Sequence, residues 1–304
     1  MSTLHQSEKQ QGQEGNVRSL WKQSVIQFKH NKLAVAGLVI ILLFIITILA
    51  TMAIDQITNY SFYNEYIIKQ DLSLRLAKPS MAHLFGCDEF GRDLLLRILW
   101  GTKLSFAIGV VAIALSVVMG APFGMVAAFY GGKVDNAIMR IMDVLLAVPY
   151  MLLAMAIVAA LGTSTMNLLL ALAVSGIAKY ARIARAAVLT VKDNEFVEAA
   201  RAVGASDFTI LFRYILPNAL APILVQVSLG IGDSILAVAG LSYLGLGVQP
   251  PQPEWGAILT TARTYMRDAW HISVFPGLFL ILAVIAFNLF GDGLRDALDP
   301  KLKR

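Results

Sequence analysis

From Leu33 to Ile54 the chain runs for 22 residues without an ionisable side chain. At about 1.5 Å per helical residue that stretch covers roughly 33 Å, enough for a bilayer's hydrocarbon core. In lipid, a helix is the open structure that satisfies every backbone N–H and C=O from within its own segment. The run therefore restricts the fold to a membrane-spanning helical protein. Composition agrees, with 57% hydrophobic and 15% charged residues and a mean hydropathy of +0.68, against about 25% charged in an ordinary soluble domain. The run is too long for a signal-peptide core, and Ile54-Asp55-Gln56 lacks the small residues of a cleavage site, so a retained first transmembrane helix is expected over 33–54.

Further apolar segments follow at about 104–130, 138–161, 166–190, 215–247 and 272–291. Six spans return both termini to one side. The short connection 162–167 has no Lys or Arg, whereas 179–213 contains Lys179, Arg182, Arg185, Lys192, Arg201 and Arg213. The tail adds Arg295, Lys301, Lys303 and Arg304. By the excess of positive charge on the cytosolic side, both termini and a 191–214 loop belong in the cytosol. Arg263 and Arg267, in an outer segment over 248–271, run against that bias. The resulting division is a cytosolic tail over 1–32, an extracytoplasmic segment over 55–103, a five-span core over 104–291 and a cytosolic tail over 292–304. The net charge of +5 sits beside span ends rather than along one face, which points to membrane topology and away from nucleic acid.

Residues 1–20 have too little to bury to order themselves, and 18–32 interleaves Arg18, Lys22, Lys29 and Lys32 with Leu20, Trp21, Val25, Ile26 and Phe28, the pattern of an amphipathic helix resting on the membrane. The outer segment opens with Gln249-Pro250-Pro251-Gln252-Pro253, which cannot continue a helix. The spacing of Trp255, Ile258, Leu259, Ala262, Tyr265, Met266 and Ala269 then predicts a one-sided outer helix, with Trp255 and Tyr265 suited to the interface. Pro122, Pro149 and Pro222 fall within spans, where neighbouring helices can satisfy the freed carbonyls.

Between the fourth and fifth spans lies a polar helix–turn–helix. Asn194 can cap a helix over 195–203, and Gly204 can close it in the left-handed conformation. Phe196, Val197, Ala200 and Val203 would share a face, with Glu198 and Arg201 projecting together. Ser206 or Asp207 would cap the next helix, running from Phe208 into Pro217. By pattern alone this is an ordinary cytosolic loop or a docking element. A DNA-reading unit is disfavoured, because Glu195, Glu198 and Asp207 interrupt any basic face.

The string Glu198-Ala199-Ala200, then Gly204, then Ile215-Leu216-Pro217 resembles the cytosolic coupling-loop signature of importer permeases of the ATP-binding cassette class. The resemblance covers about 20–304 and narrows to the second permease of dipeptide, oligopeptide and nickel importers. Four further strings carry it: Phe85-Gly86-Cys87-Asp88-Glu89-Phe90-Gly91-Arg92-Asp93, Leu241 to Pro251, Pro253-Glu254-Trp255-Gly256, and Gly291 to Pro300. It implies an all-α, six-span subunit of the type I importer permease fold. The implied partners are a homologous permease, two ATPase subunits and an extracytoplasmic binding protein, in a bacterial inner membrane. Glu198, Ala199, Ala200, Arg201 and Gly204 would be the ATPase-coupling residues: the acid for a polar contact, the alanines for close approach, the glycine for the turn. Peptides are the implied cargo, with nickel complexes or glutathione as alternatives of the same class. Two positions depart from the family, which usually has Thr at Cys87 and often an acid at Val238; the second bears on the outer half of the pathway.

Asp233 falls near the middle of the fifth span, where an ionised carboxylate costs several kcal/mol unless paired or wetted. Two readings stay open: a group on a water-filled translocation path, or a packed acid between Gly230, Gly232 and Ser234. Arg182 and Arg185, one turn apart, read as headgroup anchors. Gly91-Arg92-Asp93 reads as the start of an outer helix. The single Cys87 excludes an internal disulfide and a cysteine-based metal site, and the four scattered His residues suggest no metal cluster. No Gly-x-x-x-x-Gly-Lys-Ser/Thr loop occurs, so this chain cannot cradle ATP phosphates in that way; the resemblance implies ATP and Mg on the partner ATPase subunits and no cofactor on this chain. Gly131-Gly132-Lys133 reads as a turn. A self-contained secondary transporter would show internal repeats or paired broken spans, and a membrane enzyme convergent catalytic groups; neither pattern stands out.

Overall fold

The computed structural model describes residues 20–298, with side chains from Val25 onward. The charges of the tail at Lys301, Lys303 and Arg304, and the N-terminal 1–19, lie outside the described residues. Ten helices make up the body: α1 Leu20–His30, α2 Lys32–Ile57, α3 Leu94–Tyr130, α4 Gly132–Leu146, α5 Tyr150–Leu161, α6 Thr165–Leu189, α7 Glu195–Ala202, α8 Asp207–Tyr243, α9 Trp255–Tyr265 and α10 His271–Leu298. Helices α2, α3, α6, α8 and α10 are long and apolar enough to cross a membrane, and α4 with α5 forms a sixth span bent by 79°. That bend refines the expectation for 138–161. Pro149 stands at the break rather than inside a continuous helix, because its ring cannot follow α4 but can open α5. Pro122 and Pro222 do lie within helices, as does Pro276.

Helix α2 buries Ala34, Gly37, Ile41, Phe44, Thr51 and Asp55 at helical spacing, packing mainly on α10 while Phe44 meets Phe106 of α3 and Asp55 accepts from Trp100 Nε1 of α3 at 2.9 Å. The rest of its surface, including Leu33, Ile46 and Leu49, is exposed, as suits a lipid-facing helix. Close approach depends on small residues. A Cβ at Gly37 would sit 2.7 Å from the Ala286 carbonyl, and one at Gly124 would collide with the Ala181 carbonyl. Gly124 closes a stripe on α3, Ala112-Ser116-Gly120-Gly124, on which α6 lies with near backbone contact. Ser116 Oγ donates to the Ala173 carbonyl across that seam at 2.8 Å.

The second span starts earlier than its apolar run, at Leu94 rather than 104, because Asp93 caps it and accepts from the Leu96 N–H at 2.9 Å. The preceding string folds around Asp88, which accepts from the Phe90 and Arg92 N–H groups and from Arg92 Nε at 2.7 Å. Gly86 and Gly91 occupy the left-handed region there, at φ +77° and +74°. Cys87 is fully buried, its N–H bonded to the Ala77 carbonyl at 2.9 Å. Burial, and secondarily Asp93, pushes its thiol up to about 11.

Glu254 opens α9. Its carboxylate accepts from the Gly256 and Ala257 N–H groups at 2.9 and 2.8 Å and from Ser105 Oγ at 3.0 Å. Trp255 is fully buried, with Nε1 donating to the Ile98 carbonyl at 3.0 Å. The interfacial placement expected for Trp255 is thus corrected: a one-sided helix buries its apolar stripe, and the indole finds its acceptor inside the bundle. Phe44, Phe106 and Phe279 surround the ring. Tyr265 remains at the surface and accepts a hydrogen bond from Arg75 at 3.1 Å. At the opposite end, α10 continues beyond 291 to Leu298. There Asn31, which caps α2, donates to Asp296 at 3.3 Å.

Candidate functional site

Helix α7 is held at the end of α6 by two inward residues, Val197 and Ala200, which pack among Met125, Ala184, Val188, Leu211 and Ile215. Asn194 occupies the capping position with extended backbone, but its side chain makes no capping bond, so the capping expectation holds for position alone. The far end closes as a Schellman motif. The Ala205 N–H bonds the Ala200 carbonyl at 3.1 Å, the Gly204 N–H bonds the Arg201 carbonyl at 3.0 Å, and Gly204 sits at φ +79°. Ser206 then caps α8, accepting from the Thr209 N–H at 3.3 Å. Pro217 has no N–H to bond the Arg213 carbonyl, and the helix just before it widens into a π turn over Ile210–Ile215.

The residues left outward are Glu198, Ala199, Arg201 and Gly204, with Phe196, Val203, Phe208 and Phe212 beside them. Two expectations change. Phe196 and Val203 do not share the buried face of Val197; Val203 is 82% exposed. Ala200 faces the chain's own core and only Ala199 of the two alanines is exposed. Arg201 lies 6.0 Å from the Phe129 ring centre. Four apolar side chains, Phe196, Val203, Phe208 and Phe212, are thus exposed on the same short segment as Glu198 and Arg201.

Two cavities follow one another along α6 and α8. The first, about 730 Å³, is walled by apolar side chains from α3, the α4–α5 bend, α6, α8, α9 and α10, and carries Lys179 and Asp233. The second, about 930 Å³, lies between α6 and α8 toward α7 and carries Lys179, Arg182 and Arg295. Lys179 and Leu146 belong to both linings. Asp233 is 67% exposed and faces the first cavity, 3.4 Å from Lys179 Nζ. The reading of a packed acid between Gly230, Gly232 and Ser234 is therefore set aside. Gly230 instead makes room for Tyr180, whose hydroxyl donates to the Gln226 carbonyl at 3.4 Å. Val238 is fully buried among residues such as Ala171 and Leu172, off this cavity.

Arg182 and Arg185, expected as headgroup anchors, each find an acid within the chain. Arg185 grips Asp135 with two bonds of 2.7 and 2.6 Å, and Arg182 reaches Asp143 at 2.5 Å, which fastens α6 to α4. Their partners lie about forty to fifty residues away, beyond any local pattern. Lys179 went unnoticed as a site residue for the same reason: by sequence it is one more basic residue near a span end. Its signal was depth, about two-thirds of the way along an apolar helix.

A family model described as "Binding-protein-dependent transport system inner membrane component" matches residues 120–304, and one described as "N-terminal TM domain of oligopeptide transport permease C" matches 19–79. The chain is 44% identical to the dipeptide transport system permease protein DppC of Alkalihalophilus pseudofirmus, over 94% of this chain and 91% of that one. It is 45% identical to the glutathione transport system permease protein GsiD of Pectobacterium atrosepticum, over 95% and 93%. An inward-facing structure of the MetNI methionine ABC transporter shares the fold at TM-score 0.56 and 19% identity, covering 68% of this chain and 98% of that one. The α7 element, the six spans and these matches lead to one conclusion: the chain belongs to the family of binding-protein-dependent transport system inner membrane components.

Proposed function

We propose that this permease subunit imports di- or oligopeptides, forming half of the pathway beside a homologous permease, with two cytosolic ATPase subunits and an extracytoplasmic binding protein. The observation that carries the coupling role is the outward surface of α7, rigidly seated on the chain's own core yet left open by Phe196, Val203, Phe208 and Phe212. A groove on an ATPase subunit that receives Glu198, Ala199, Arg201 and the Gly204 turn would transmit its closure through α6 and α8. Helix-in-groove docking then becomes mechanical work. ATP and Mg would be bound on those partners. Both termini and α7 would face the cytosol of a bacterial inner membrane, as the Lys and Arg distribution supports.

The cargo reading rests on the names of the DppC and GsiD relatives and on the first cavity, whose volume falls in the 300–1,000 Å³ range of small-ligand sites. Asp233 would lie on the translocation path. Because the GsiD relatives are as similar as DppC, a glutathione-type tripeptide is a second cargo of the same chemistry. An affinity-tagged chain, expressed with its genomic neighbours, should bring down an ATPase and support ATP-dependent peptide uptake in proteoliposomes. A chain that transports alone, with no ATPase attached, would overturn the reading.

A further inference from the structure

Helix α6 carries three basic residues on successive turns, Lys179, Arg182 and Arg185, and each meets an acid on another helix. Arg185 grips Asp135 of α4 with two bonds of 2.7 and 2.6 Å, and Arg182, about half exposed, reaches Asp143 with one bond of 2.5 Å. The lysine is different. It meets Asp233 of α8 at 3.4 Å, and both side chains are open to the cavity, 46% and 67% exposed. A lysine is a point charge on a flexible four-carbon stem, whereas arginine holds a fixed bidentate geometry. The two short pairs fasten α6 to α4; the longer one joins α6 to α8, with Lys179 at the junction of two cavities.

Lys179 and Asp233 are also the only charges on the lining of the first cavity, among the described residues, and the remaining wall is mostly apolar, as at Ile113, Leu145, Leu236 and Leu280. A lining with one cation, one anion and apolar flanks is the complement of a zwitterion with apolar substituents. An extended dipeptide spans about 7 Å, at 3.3–3.6 Å per residue, so the pair must part to take both ends, and the lysine stem supplies the reach. Parting would strand two charges at mid-membrane depth, which is costly unless each gains a new partner.

We propose that Lys179 and Asp233 form an exchangeable ion pair that opens to receive the two ends of a peptide, Asp233 the terminal ammonium and Lys179 the terminal carboxylate. The proposal rests on the peptide-permease reading. It gives Lys179 a specificity role and makes the closed pair a barrier between the two cavities when no cargo is bound.

The test reconstitutes the complete transporter in proteoliposomes and measures ATP-driven uptake of alanylalanine, its N-acetyl derivative and its C-terminal amide. One binding protein serves every variant, so its selection cancels when variants are compared with wild type. Lys179→Gln should lower uptake of the free dipeptide at least tenfold while changing the amide less than twofold. Asp233→Asn should do the same with the N-acetyl peptide as the spared ligand. Lys179→Arg should keep the wild-type order. Equal losses for all three ligands in Lys179→Gln would mean that the lysine merely balances Asp233, and the proposal would fall. The double variant Lys179→Gln, Asp233→Asn leaves no stranded charge and guards against misfolding; wild-type proportions among the three ligands in it would also overturn the proposal. Failure of the peptide reading looks different, since the wild-type complex would then take up none of the three, and both readings would go.

Discussion

Gly204 shows how one residue sets the placement of a whole surface. Its φ of +79° closes α7, and no atom lies within 4 Å of where a Cβ would stand, so substitution there is a conformational matter and not a collision. A β-branched residue held in that region costs about 1–3 kcal/mol, enough to reopen the turn without unfolding the spans. Gly204→Val should therefore leave membrane levels unchanged and lower both ATPase co-purification and uptake; survival of both activities would reduce the element to a plain loop. Cys87 makes the opposite point. Its thiol is fully buried and, by that burial first and Asp93 second, pushed up to about 11, which keeps it in the unreactive protonated form near neutral pH. Maleimide should label the folded protein negligibly and the denatured protein fully, and Cys87→Thr should preserve uptake.

At the scale of elements, capping decides where helices begin more than hydropathy does. The apolar run of the second span starts near 104, yet Asp93 moves the helix start to Leu94 by satisfying the first-turn N–H of Leu96. Glu254 does this for α9 while fully buried, and it also holds Ser105 of α3. Glu254→Ala removes the cap and the acceptor of the buried Ser105 hydroxyl, which keeps only the bond it accepts from the Trp255 N–H. A loss of about 2 kcal/mol is expected from a typical cap of about 1 kcal/mol plus a similar sum for the lost acceptor, read as a lower melting temperature in detergent. The helix that follows Glu254 was read correctly from periodicity as a one-sided outer helix, but Trp255 was not: the i, i+3, i+4 pattern identifies an apolar face and not how deeply its first residue is buried.

For the whole molecule, function depends on two surfaces at different depths, the α7 platform and the cavities between α6 and α8. Val203→Asp and Phe208→Asp, both at exposed positions, should leave the melting temperature within a degree or so but strip ATPase from the purified chain. A large drop in stability would show instead that these side chains serve the chain's own packing. The six spans and the left-handed Gly204 were legible in the sequence, because each rests on a local rule, the length of an apolar run and the φ that glycine tolerates; Gly91-Arg92-Asp93 showed a helix start, but not that this helix continues unbroken into the second span. The broken third span was half legible, since Pro149 marks a place for a break but not a 79° turn. What the sequence could not specify was pairing. Whether Asp233 lay packed or open, whether Arg182 and Arg185 met lipid or Asp143 and Asp135, and whether Ala200 faced outward or into its own core all depend on which helices stand side by side. That choice is made by close packing of small-residue stripes such as Ala112-Ser116-Gly120-Gly124 against α6, a three-dimensional fit between segments about sixty residues apart that no local pattern encodes.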